Sequence, residues 1–160
     1  MNELFWIRLV SATLATLGFS IFFFVHPRRL LPAVLGGCLS CAIYLLANHF
    51  WGGELLPNFV AAAVAAVYAE MCARVTRVPV TVYLLPGVIA LAPGSALYNT
   101  VFHLANERYT EALIYGRTTL QISLGIAGGV AIGSMLGVLL RAHRRARKKA
   151  RENAYEKTGP

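Results

Sequence analysis

The stretch Leu84-Leu85-Pro86-Gly87-Val88-Ile89-Ala90-Leu91-Ala92-Pro93-Gly94-Ser95-Ala96-Leu97-Tyr98-Asn99 decides how the chain folds. It is apolar enough for the interior of a bilayer, yet it carries two Pro-Gly pairs, at 86–87 and 93–94. Each proline deletes a backbone donor and obstructs the carbonyl one turn back, and each glycine permits non-helical torsions. A helix is expected to break here. Irregular backbone at membrane depth is tolerated only where it is buried in protein or lines an aqueous cavity, and transporters turn such broken ends toward a substrate. Ser95, Tyr98, Asn99 and Thr100 follow at once, so donors and acceptors gather at the break. Pro86, Gly87, Pro93, Gly94, Ser95, Tyr98 and Asn99 are therefore the candidate pathway residues, the plain alternative being a kinked packing helix with no ligand.

Outward from this stretch, five apolar runs are long enough to cross roughly 30 Å of hydrocarbon, which takes about 20 residues. They cover approximately Phe5 to Val25, Leu30 to Phe50, Leu55 to Val75, Val80 to Leu104 and Thr118 to Leu140. Between them lie short polar segments, the longest from Ala105 to Arg117. The expected fold is an all-α, polytopic transmembrane helix bundle of about five helices with the fourth broken, spanning residues 1–140, followed by a basic cytoplasmic tail at 141–160.

Composition agrees with lipid as the solvent: the chain is 57% hydrophobic and 14% charged, where soluble domains carry about 25% charged residues. The net charge of +8 is concentrated in the tail, which runs Arg141-Ala-His-Arg-Arg-Ala-Arg-Lys-Lys-Ala-Arg. Such a tail anchors topology and attracts anionic lipid, about 1 kcal/mol per basic residue near the headgroups; nucleic acid is not the partner it suggests. Asp is absent, and no H-E-x-x-H or G-x-S-x-G occurs, so an enzyme is not expected. Cys38, Cys41 and Cys72 lie inside apolar runs without a second ligand pair, which argues against a metal or cofactor. The N-terminus lacks a basic n-region, so the first helix is expected to be retained.

Lys and Arg in short loops favour the cytoplasm. With the tail inside, the loops bearing Arg28, Arg29, Arg74 and Arg77 are also inside, and five crossings put the N-terminus outside. Small residues mark helix contacts, because apolar side chains gain little by leaving lipid for one another. Gly125, Gly129, Gly133 and Gly137 form one such row and Ala61, Ala65, Ala69 and Ala73 another. These rows suit packing within the bundle, docking of a partner subunit, or a second copy of this chain. Glu70 stands four residues before Arg74, on one helix face. It is either a coupling carboxylate, the default for an ionisable intramembrane residue, or half of an interfacial ion pair. Asn48, His49, Trp51, His103 and Asn106 fall at the outer ends of their runs, either lining an exit vestibule or as the residues that interfaces normally collect.

The pattern Arg77-x-Pro79, then Leu85-Pro86-Gly87-x5-Pro93-Gly94-x3-Tyr98, preceded by an Ala-rich helix and followed by a Gly-rich one, resembles the threonine/serine exporter family. Length and tail resemble its short, YjjB-type membrane subunit, similar to the C-terminal half of the long ThrE-like members. The resemblance implies a secondary exporter of threonine and serine or of a dicarboxylate such as succinate, in a prokaryotic inner membrane. It also implies a second five-helix subunit of the YjjP type, since this chain would be half a transporter. Two readings from other classes compete: a non-transporting membrane assembly or regulatory subunit, and a holin-like pore-former.

Overall fold

The structure, a computed structural model, describes residues 2–157, with side chains over 5–139. The described residues form six helices: α1 (Asn2–Phe22), α2 (Pro27–Trp51), α3 (Leu55–Thr76), α4 (Thr81–Ile89), α5 (Gly94–Ala105) and α6 (Tyr109–Lys157). Four are long and apolar enough to cross a membrane, and α4 with α5, bent by 56° at the break, meets the same length and composition as a pair, giving four to five candidate spans. Large apolar side chains such as Phe22, Leu31, Phe50 and Leu124 point outward from every long helix, the inverse of a soluble core.

Local chemistry explains the element boundaries. His26 caps α2 by accepting from the Arg28 N–H, and Pro27 occupies the first helical position, where no donor is needed. Pro32 removes another donor further along. Helix α2 ends on Gly52 and Gly53, both at positive φ (64° and 71°), a conformation open to glycine. Polar residues inside α1 satisfy themselves: Thr16 and Ser20 donate to the carbonyls of Ala12 (2.8 Å) and Thr16 (2.7 Å).

Helix α6 begins at Tyr109, which corrects the expected Ala105–Arg117 loop to residues 106–108. Its charged residues were the reason to expect a loop. They are compatible with a helix, because Glu111 sits in the first turn, where the helix dipole favours an anion, and Ala112 N–H donates to Arg108 O at 3.0 Å. The helix continues through Lys157, while the side chains of the basic tail lie outside the described residues.

The bundle is organised around α3, which packs on α2, α4 and α6. A Cβ added to Gly125 would lie 2.5 Å from Leu55 O, one on Gly129 would strike Phe59 O, and one on Gly133 would lie 2.5 Å from Ala63 O. The glycine row thus lies directly on the α3 backbone. The Ala61, Ala65, Ala69 and Ala73 row uses another side of α3: Ala69 and Ala73 pack with Ala33 of α2 and Tyr83 of α4. Tyr83 is buried and donates to Thr76 Oγ1 (3.0 Å), which donates to Cys72 O (2.8 Å), fastening the start of α4 to the end of α3. At the other end of α3, Tyr44 OH donates to Glu54 Oε2 (3.0 Å), and buried Asn58 donates to Glu54 O (2.6 Å).

Candidate functional site: the helix break and its groove

The two Pro-Gly pairs do different things. Pro86 lies inside α4 without ending it, and the helix stops only at Ile89. Leu91 N–H then turns tightly onto Val88 O (2.9 Å), Ala92 N–H onto Ile89 O (3.2 Å) and Gly94 N–H onto Ala92 O (2.8 Å). In a continuous helix Leu91 would have bonded Gly87 O. That carbonyl instead accepts from Ser40 Oγ of α2 at 2.6 Å, so the bond lost at the break is replaced within the core. Neither Gly87 nor Gly94 has positive φ, and both are helical. The torsional freedom expected of them is not what the break uses. Pro93, at φ −78° and ψ 47°, is the residue that leaves the helical path.

Beyond the break, α5 starts without a side-chain cap on Pro93. Its first turn therefore presents unsatisfied N–H groups and the positive end of the helix dipole. Ser95 and Ala96 of that turn wall a groove of about 380 Å³, with Asn99 on the next turn and Glu111, Ile114, Tyr115 and Thr118 across from them on α6. The spacing brings these residues together. Ser95, Asn99 and His103 repeat every four residues on α5, while Glu111, Tyr115 and Thr118 follow at four and three on α6. Asn99 Nδ2 donates to Ser95 O (2.9 Å), and the Thr100 and Thr119 hydroxyls meet at 3.4 Å beside the groove. His103 stacks flat on Tyr115, with ring centroids 5.3 Å apart, at the far end.

The seven candidate pathway residues therefore separate. Pro86 and Gly87 are buried in the packing of α4. Pro93 and Gly94 form the turn, and Ser95 and Asn99 line the groove. Tyr98 is not brought to it: the side chain is 67% exposed and stacks on Phe102 at 6.0 Å. Glu111 and Tyr115 were hidden because residues 105–117 were expected to form a loop, and Thr118 because it stood at the first position of the fifth run; their helical spacing was the available signal. Glu70 lies elsewhere. Only 5% exposed, it stands 3.8 Å from Arg74, whose guanidinium donates to Gly137 O of α6. A Cβ on Gly137 would lie 2.7 Å from Glu70 Cγ, so the last glycine of the row makes room for the carboxylate.

Long apolar helices, a helix pair bent at residues 90–93 and a groove with polar side chains beside the break are features found in multi-pass membrane transporters. No curated protein and no solved structure matches the chain. Residues 8–136, from the second turn of α1 to the membrane part of α6, match the sequence model of the family described as Threonine/Serine exporter, ThrE. With four-fifths of its length inside that match, the chain belongs to the threonine/serine exporter family of membrane transporters.

Proposed function

We propose that the chain is one subunit of a secondary exporter of small polar metabolites, threonine and serine or a dicarboxylate such as succinate. It would act with a second, five-helix subunit of the ThrE/YjjP type. The observation that carries this reading is the groove between α5 and α6, which places the polar side chains of Ser95, Asn99, Glu111 and Thr118 in a largely apolar lining, begins at the helix break and opens on the side of the bundle. Polar groups turned toward hydrocarbon are costly. A second protein surface laid over Ser95, Asn99, Glu111 and Thr118 removes that cost and converts the groove into a passage between two halves.

The cytoplasmic side is then the one bearing Arg28, Arg29, Arg74, Arg77 and the 141–160 tail, with the N-terminus outside a prokaryotic inner membrane and residues 1–140 within it. The tail rests on anionic lipid. The seating of Glu70 against α6, away from the groove, favours a role in clamping helices over one in ion coupling. The assembly-subunit alternative needs the glycine row as a docking face, and that row is occupied by α3. Metabolite efflux from cells lacking the gene, alone and together with the gene for the second subunit, tests the proposal. Unchanged threonine, serine and succinate export in both strains overturns it.

A further inference from the structure

A second cavity, of about 270 Å³, lies at the other end of the bundle, where the α1–α2 turn meets the start of α4. Its polar lining is His26, Arg29 and Thr81, and its apolar lining includes Phe23, Leu85 and Pro86. The charge around it is one-sided. Residues 4–53 and 71–106 contain no acidic residue, so the α1–α2 turn, α2 and α4 have no carboxylate with which to neutralise Arg28 and Arg29. Both arginines also stand in the first turn of α2, the helix end whose dipole favours anions and disfavours cations. His26 accepts from Arg28 N–H through Nδ1 (3.3 Å), so with that bond in place the ring N–H is at Nε2. Arginine fork, imidazole N–H and threonine hydroxyl together make a donor set suited to a phosphate ester.

The apolar rim identifies the source of that phosphate. Leu85 is 50% exposed and Phe24 95% exposed beside the opening, on the outward surface that lipid covers. A cavity below the roughly 300–1,000 Å³ of drug-sized pockets admits a headgroup and its first carbons, not the chains. We propose that this cavity binds the phosphate headgroup of one anionic phospholipid, held by Arg29, His26 and Thr81, with its acyl chains outside along Phe24 and Leu85. None of its lining residues belongs to the groove or to the tail sequence, and it stands whichever metabolite the groove carries.

Native mass spectrometry of the full chain in a nonionic detergent tests this, with phosphatidylglycerol, phosphatidylcholine and glycerol 3-phosphate as separate probes. One phosphatidylglycerol per chain should persist under activation that strips phosphatidylcholine. Arg29→Gln should weaken its Kd about tenfold, the scale of one charge-assisted hydrogen bond. Leu85→Trp, which keeps every charge and fills the mouth, should weaken it comparably. A tail variant with Arg147, Lys148, Lys149 and Arg151 changed to Gln should keep that one lipid. Wild-type affinity in both cavity variants, or loss of the tightly held lipid in the tail variant, overturns the site. Glycerol 3-phosphate binding as tightly as phosphatidylglycerol overturns the lipid assignment.

Discussion

Replacing Gly129 with Ala should loosen the bundle at its tightest seam. The new methyl would strike Phe59 O and stand 2.9 Å from Ala62 Cβ and 3.0 Å from Ala63 N. Carbon pairs settle at about 3.5–4.0 Å, so α6 has to lift by something on the order of 1 Å, and the obstacle is backbone that cannot rotate away. Overpacking of this kind costs roughly 1–3 kcal/mol. Alanine returns up to about 1 kcal/mol through helix propensity, leaving a net loss of up to about 2 kcal/mol, up to a roughly 30-fold fall in the ratio of folded to unfolded chain, and about 1–3 kcal/mol relative to an alanine placed where nothing obstructs it. Gly133→Ala meets Ala63 O at 2.5 Å and Ala66 Cβ at 2.7 Å, and should behave alike. The double variant should cost less than the sum, because one displacement of α6 relieves both contacts. Gly18→Ala is the control, since nothing lies within 4 Å of its added Cβ. Reversible unfolding in mixed micelles, followed by circular dichroism, measures all four. If Gly129→Ala proves as stable as Gly18→Ala, the seating of α6 on the α3 backbone is wrong.

Three further outcomes are expected. Ser40→Ala leaves Gly87 O without its 2.6 Å donor and should cost about 1–3 kcal/mol in the same unfolding assay; a neutral result would mean that water or another donor serves that carbonyl. Asn99→Leu should lower efflux per folded transporter about tenfold or more, the loss of one ligand hydrogen bond, while Tyr98→Leu, on the outward face, should leave it near wild type; the reverse order would move the pathway off the groove. Glu70→Gln should change unfolding midpoints more than flux, given its place beside Arg74 and Gly137; abolished efflux from a fully folded variant would restore the coupling role.

Much of this was legible in the sequence because membranes enforce simple rules. Hydrocarbon thickness fixes run length, so α1, α2 and α3 were placed to within a few residues. Proline chemistry placed the break, and small-residue spacing marked α3 and α6 as helices that face protein. What failed has a physical cause in each instance. The two Pro-Gly pairs look equivalent on paper, but Pro86 is accommodated within α4, whereas Pro93 stands in the break as the N-cap of α5. Charge in Glu107, Arg108, Glu111 and Arg117 masked the first two turns of α6, hiding half of the groove wall. Nothing in the spacing alone tells which side of α5 Tyr98 occupies relative to Asn99, because that depends on where α6 lies across it.

Helix α5 packs extensively on α6 alone, whereas α4 is wedged against α1, α2 and α3 and tied to them through Ser40 and Tyr83. The short turn at residues 90–93 therefore joins a fixed post to a boom. At 12 residues and about 1.5 Å per residue the boom is about 18 Å long, so a rotation of about 10° at the turn carries its far tip through about 3 Å. That is the width of a water molecule or a hydroxyl group, so a swing of that size would change the width of the groove without requiring the seam between α3 and α6 to open.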